Sequence, residues 1–266
     1  MEPEILEITS PDGYKNNAVL KLPDGDGPFP GVVAIHGGMG SQTEEVLMDF
    51  ARSEKYLPKR LVRQGYAVLI SDYRHPSLTH LEVDDTIAAY HTLCAHPTVR
   101  ADRVALCGTS HGGVCAIFAG MRIRPACIVA EEAATDLAYH YRLLHESIRA
   151  YPGELDGYIK LDKELWDELA GRLGGTPDEV PEAYEKASGH AQARKIQSPI
   201  LIVSGNSEYL PHCLTMVAAL LKAKKDCTFA MYENAPHGFW CAGLDLPARL
   251  QADEITFPFL EKHLKR

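Results

Sequence analysis

Residues 102–121, DRVALCGTSHGGVCAIFAGM, decide the fold. Arg103 to Cys107 is a short apolar run of the kind that forms a strand buried on both faces. Val114 to Met121 reads as a helix. Between them stands Gly108-Thr109-Ser110-His111-Gly112, a serine framed by glycines two residues before and two residues after it. The five-residue pattern arises often by chance, and what gives it meaning is the strand, tight turn and helix around it. The glycines let strand and helix approach closely across a strained turn. That geometry pushes the serine oxygen out at the carboxyl end of the sheet, where the helix start points backbone N–H groups at any developing anion.

Outward from this segment the chain repeats the same alternation. Gly31 to Ile35, Tyr66 to Ile70, Ala126 to Ala130, Ile200 to Val203 and Thr228 to Tyr232 read as further strands. Helical patterns cover roughly 44–64, 82–96, 112–121, 212–224 and 247–264. Strict alternation implies an α/β fold with a mainly parallel sheet and helices on both faces. Ile5 to Leu22 alternates in hydropathy around Asp12-Gly13 and predicts an antiparallel hairpin on the sheet edge. From about Thr135 to Ile196 no strand pattern occurs. Pro152-Gly153, Gly174-Gly175 and Thr176-Pro177 punctuate this stretch, which reads as a helical cap inserted at about 135–196 in one 1–266 domain, too polar for a core of its own.

The chain has 266 residues, 45% of them hydrophobic, and a formal net charge of -9. Without a run of Lys and Arg, nucleic acid is not an expected partner. The acidic start, MEPEILEITSPDGYK, has no apolar segment of signal type, and no apolar run is long enough for a bilayer. The seven cysteines contain no C-x-x-C pair and mostly sit in apolar runs. That pattern predicts reduced thiols in a cytoplasmic protein and no zinc site. No cofactor and no metal are expected. The expected partner is a small-molecule substrate, without nucleic acid or membrane, and the sequence leaves room for a homo-oligomer.

A serine hydroxyl needs a base. Among 12 histidines, His237 lies in Asn234-Ala235-Pro236-His237-Gly238-Phe239, directly after the last strand, where a loop can bring it to the serine's edge of the sheet. His75, His80, His91 and His96 read as surface or packing residues, whereas His140 and His145 are candidates to line a pocket. An acid must orient the imidazole. Glu208 is the carboxylate of the loop after the fifth core strand and falls between serine and histidine in chain order. Glu131, Glu132 and Asp136, after the fourth core strand, compete for that role. Glu131 and Glu132 are also candidate substrate-binding residues, one of them holding a cationic group. His36-Gly37-Gly38-Met39-Gly40 is a glycine-rich loop able to supply an oxyanion donor from Gly38 or Met39, with the His111 amide as the second.

With these pieces in order, the chain resembles the α/β-hydrolases of the prolyl oligopeptidase and dienelactone hydrolase type from about Phe29 to Phe239. FPGVVAIHGG, LVRQGYAVLISDYR, DRVALCGTSHGG, KIQSPILIVSGNSE and YENAPHGF are similar to that family's successive strand-and-loop signatures. GGTPDEVPEAYEKAS is similar to the stretch before its acid strand. The resemblance implies Ser110 as nucleophile, His237 as base and the His-Gly-Gly loop as oxyanion donor. The chain departs from the family's aspartate in a G-x-x-D-x-x-V-P loop. Here Gly205 is followed three residues later by Glu208, and the loop is one residue short before Pro211. It also has no room for an amino-terminal propeller, which favours small esters, lactones or amides over oligopeptides. The expectation is a serine hydrolase with a Ser110–His237–Glu208 triad. A peptidase or aminopeptidase, a lyase, and an inert ligand-binding protein on the same scaffold stay open as alternatives.

Overall fold

The computed structural model describes residues 1–38, 40–74, 81–151, 157–244 and 246–266; for 157–159, 161 and 246 it describes the backbone alone. The described residues form one sheet of eight strands. β1 (Glu4–Thr9) and β2 (Lys15–Lys21) make the expected edge hairpin, and β2 runs antiparallel to β4 (Ala67–Ser71). β3 (Phe29–Ile35), β5 (Val99–Thr109), β6 (Ile128–Glu131), β7 (Ile200–Gly205) and β8 (Cys227–Tyr232) continue in parallel, in the order β1-β2-β4-β3-β5-β6-β7-β8.

Side chains along each strand alternate between two cores because successive Cβ atoms point to opposite faces. Val33, Ile35, Leu69 and Leu106 pack with α3 (Leu81–Cys94), α4 (His111–Gly120) and α8 (Leu210–Lys222). Val32, Ala34, Val68 and Cys107 pack with α1 (Glu44–Arg52), α2 (Leu57–Arg63) and α9 (Leu246–Leu264) on the other side. The continuous helix expected over 44–64 is two helices. Ser53 caps the first, and Pro58 sits in the first turn of the second, where its missing N–H costs nothing.

Between β6 and β7 run α5 (Leu137–Ala150), α6 (Gly157–Leu173), α7 (Pro181–Ala187) and a 3₁₀ helix (His190–Lys195), with no strand among the described residues. Contrary to the expectation that this stretch is too polar for a core, Leu137, Leu144, Trp166, Leu169 and Tyr184 form a small buried cluster of their own. All seven cysteines are free thiols, four of them buried. No helix among the described residues is long and apolar enough to cross a membrane.

The strand order sets the site's position. The chain leaves β3 towards β4 on one side, and β5 takes the other side. A crevice therefore opens at the carboxyl ends of β3 and β5. Ile35 pairs with Gly108, Thr109 with Glu131, Glu131 with Val203 and Gly205 with Tyr232, so the residues that follow these strands meet on one edge.

Candidate active site

Ser110 occupies the turn between β5 and α4 with φ 52° and ψ -122°, a backbone conformation that a non-glycine residue holds only under strain. The flanking glycines make this turn by close approach. A Cβ on Gly108 would lie 2.1 Å from the Gly112 carbonyl oxygen, and one on Gly112 would lie 2.3 Å from that of His36. The His36-Gly37-Gly38 loop is thus pressed against the serine turn. Gly38 and His111, two of the expected oxyanion donors, line a cavity with Ser110; Met39 lies outside the described residues.

The loop is braced from β4 in a way the sequence did not reveal. The Tyr73 hydroxyl donates to the carbonyls of His36 (3.2 Å) and Gly38 (3.0 Å), and its ring stacks on that of His36. Asp72 accepts from Ser41 Oγ (2.5 Å) and the Gln42 amide (3.0 Å) and lies 3.0 Å from His36 Nε2. Burial pushes the Asp72 carboxyl up, but hydrogen bonds from His36, Ser41 and Gln42 outweigh this and hold it below its ordinary range.

His237 follows β8 and lines a cavity together with Ser110. The carboxylate brought to it is Glu132, not Glu208: His237 Nδ1 lies 3.0 Å from Glu132 Oε2. The approach is bent away from a straight hydrogen bond, as is common before a ligand tightens such sites. Glu208 is exposed, whereas Glu132 is fully buried. Glu132 Oε1 accepts from the Gly205 amide (3.1 Å) and Ser207 Oγ (2.5 Å), and Oε2 accepts from the Gly238 amide (2.9 Å). Burial pulls the His237 imidazole down. The Glu132 contact and charge, with smaller contributions from Glu131 and Glu208, more than offset this and hold it above its ordinary value of 6.5. The Tyr209 ring stacks flat on His237, with centroids 4.0 Å apart. Asp136, the other competitor, caps α5 by accepting from the Tyr139 amide at 2.9 Å.

Glu131 and Glu132 do not occupy the substrate-binding role expected of them. Both are completely buried, and neither lines either cavity at Ser110. Glu131 accepts from the amides of Trp240 (2.7 Å) and Cys241 (3.0 Å). Burial pushes its carboxyl up, against the pull of those two amides. Neighbouring strand residues normally face opposite ways. Here Glu132 has left the strand with φ 48°, and both carboxylates meet the same 237–241 loop.

Two cavities meet at Ser110. One, of about 240 Å³, is lined chiefly by apolar side chains, among them Phe50, Tyr56, Leu57 and Leu244. The other, of about 30 Å³, runs beneath α5 and α6 to His140, Asp162, Trp166 and Tyr209. His140 thus lines a pocket as expected, whereas His145 pairs with Asp167 at 2.9 Å.

Residues 32–241 match the family described by its alpha/beta hydrolase fold. The chain is 22% identical over 240 residues to the uncharacterized peptidase YtmA of Bacillus subtilis, covering 86% of this chain and 83% of that protein. Carboxyl esterase 2 of the mycorrhizal fungus Tuber melanosporum superposes with a TM-score of 0.74 at 21% identity, covering 99% of this chain and 88% of that one. Dipeptidyl peptidase 4 of Porphyromonas gingivalis superposes with a TM-score of 0.70 at 21% identity over 98% of this chain, which spans 35% of that protein's chain. The chain belongs to the α/β-hydrolase family and is a hydrolase.

Proposed function

We propose that the protein is a serine hydrolase that cleaves small carboxylic esters through an acyl-enzyme on Ser110, with His237 as general base and Glu132 as the acid. The observation that carries this reading is the buried Glu132 carboxylate on His237 Nδ1, in a loop whose histidine shares a cavity with Ser110. With Nδ1 facing the carboxylate, Nε2 is the nitrogen left to take the serine proton.

In this mechanism Ser110 Oγ attacks the ester carbonyl carbon as its proton passes to His237. The oxyanion is held by the amides of His111 and of Gly38 or Met39. Collapse breaks the carbonyl-to-alcohol bond, and the imidazolium returns its proton to the leaving oxygen. Water then repeats the sequence on the acyl-enzyme and releases the acid. The Tyr73 and Asp72 contacts keep the 36–38 loop in place without contributing atoms to the reaction. The largely apolar cavity favours an ester with an apolar group on one side of the carbonyl.

A fluorophosphonate probe tests the reading. Labelling is expected in the native chain and absent from Ser110→Ala, which also loses hydrolysis of p-nitrophenyl esters by about 10⁴-fold or more. A lactone and aminoacyl anilides in the same panel separate the ester reading from lactone and amide substrates. Retention of more than about a tenth of kcat by Ser110→Ala would overturn the assignment.

A further inference from the structure

The smaller cavity at Ser110 is lined by Asp162, the one carboxylate among the described residues lining either cavity. Its volume of about 30 Å³ suits a single small polar group, since a water needs roughly 10–15 Å³ measured in this way. The side chain is 18% exposed. Its Oδ1 accepts from Trp166 Nε1 at 3.1 Å, and Oδ2 lies 3.7 Å from His140 Nε2.

The buried histidines set the charge of these partners. His212 is completely buried, and that burial above all pulls it down to about 3. Its Nδ1 accepts from the Asp136 amide at 3.1 Å, so its one proton sits on Nε2. That nitrogen is 3.3 Å from His140 Nδ1 and donates to it. His140 therefore carries its proton on Nε2, facing Asp162. The Trp166 N–H holds the carboxylate by a hydrogen bond, the His140 N–H faces it from 3.7 Å, and among the described residues no lysine or arginine pairs with it. A charge held in position without compensation, beside the rings of Trp166 and Tyr209, is complementary to a cation.

We propose that this cavity binds a positively charged nitrogen of the substrate, an ammonium group carried a few bonds from the scissile carbonyl, with Asp162 as its counter-charge. The substrate class is then an amino ester with its ammonium in the small cavity and an apolar group in the large one. The proposal rests on Ser110 being the nucleophile that the two cavities share.

The test compares benzyl esters of glycine, β-alanine and 4-aminobutyrate with their N-acetyl derivatives, in the native chain and in Asp162→Asn. One free-amine ester is expected to exceed its acetylated partner in kcat/KM by about tenfold or more, as a charge-assisted contact provides. In Asp162→Asn that ratio collapses towards one. Ratios near one throughout the series in the native chain, or a preference that survives Asp162→Asn, overturn the proposal. If no ester is cleaved and no fluorophosphonate label is taken up, the reading of Ser110 fails separately. In that case, or if Asp162→Asn does not fold, melting temperatures of the native chain decide. A rise with butylammonium chloride, absent with butanol and with sodium chloride, upholds the cation site, and no rise overturns it.

Discussion

The amide of Ser110 donates to the carbonyl oxygen of Glu131 at 2.8 Å, and the carboxylate of the same Glu131 receives the amides of Trp240 and Cys241. One residue at the end of β6 therefore ties the serine turn to the loop that carries His237. Glu132, beside it, grips that loop at Gly238 and the end of β7 at Gly205. The relative position of serine and histidine is set by two adjacent glutamates, through the Glu131 carbonyl on the serine turn and two buried carboxylates on the amides of the histidine loop.

Glu131→Gln is expected to loosen this tie. The glutamine oxygen satisfies one amide, and its NH₂ group confronts the other, donor against donor. Leaving one buried amide without an acceptor costs about 1–3 kcal/mol, visible as a lower melting temperature. We expect kcat to fall with KM little changed. Because the Glu131 charge helps to raise His237, the acid limb of kcat/KM also moves to lower pH. A normal pH profile with reduced kcat would leave Glu131 as a purely structural anchor.

Glu132→Gln separates the two candidate acids. Losing the carboxylate on His237 Nδ1 is expected to reduce kcat by about 10³–10⁴-fold, the scale seen when a triad acid becomes an amide. Glu208→Gln, at an exposed position, is expected to stay within about threefold of the native rate. A severe Glu208→Gln beside a mild Glu132→Gln would return the role to the β7 loop.

The fold was legible because its strands are continuous apolar runs, and the serine turn because Gly108 and Gly112 bracket it at the spacing that close approach demands. The edge hairpin followed from alternation around Asp12-Gly13. The carboxylate beside His237 was not singled out because the loop after the fifth core strand was preferred, although Glu132 too falls between serine and histidine in chain order. The deciding feature is the positive φ of Glu132, which turns a second carboxylate onto the histidine loop and leaves no mark in hydropathy. Tyr73 was hidden for a related reason: it lies near the end of an ordinary strand-and-loop signature, and only the β3–β4 pairing brings its hydroxyl to the His36-Gly37-Gly38 loop. Asp162 belongs to none of the motifs in the sequence, and only the packing of α6 brings it to a cavity that Ser110 also lines.

Glycine substitutions test the serine turn by stability alone. A Cβ at Gly108 meets backbone atoms of Gly112 that cannot move without opening the turn. Gly108→Ala is expected to cost upwards of about 3 kcal/mol, beyond ordinary overpacking. Gly171, in α6, has open space around its missing side chain. Gly171→Ala is therefore expected to stabilise, by about 0.5–1 kcal/mol. Differential scanning calorimetry of the pair checks both signs. Similar melting temperatures for the two variants would contradict the close packing at residue 108.

The pH dependence of His237 links the site to folding. Its imidazole is held above 6.5, and a general base must be neutral to accept the Ser110 proton. The kcat/KM profile should therefore fall as pH drops through a midpoint above 6.5, and Glu132→Gln should move that midpoint down. For stability the sign is opposite to that of a carboxylate whose pKa is held down by its partners. The folded pKa is the higher one, so protonation favours the folded state. That contribution is fully present below the unfolded value and is lost as pH rises through the folded one. The melting temperature of the native chain minus that of His237→Asn should accordingly be larger near about pH 5.5 than near about pH 8.5. A flat or reversed difference would mean that Glu132 does not stabilise the imidazolium.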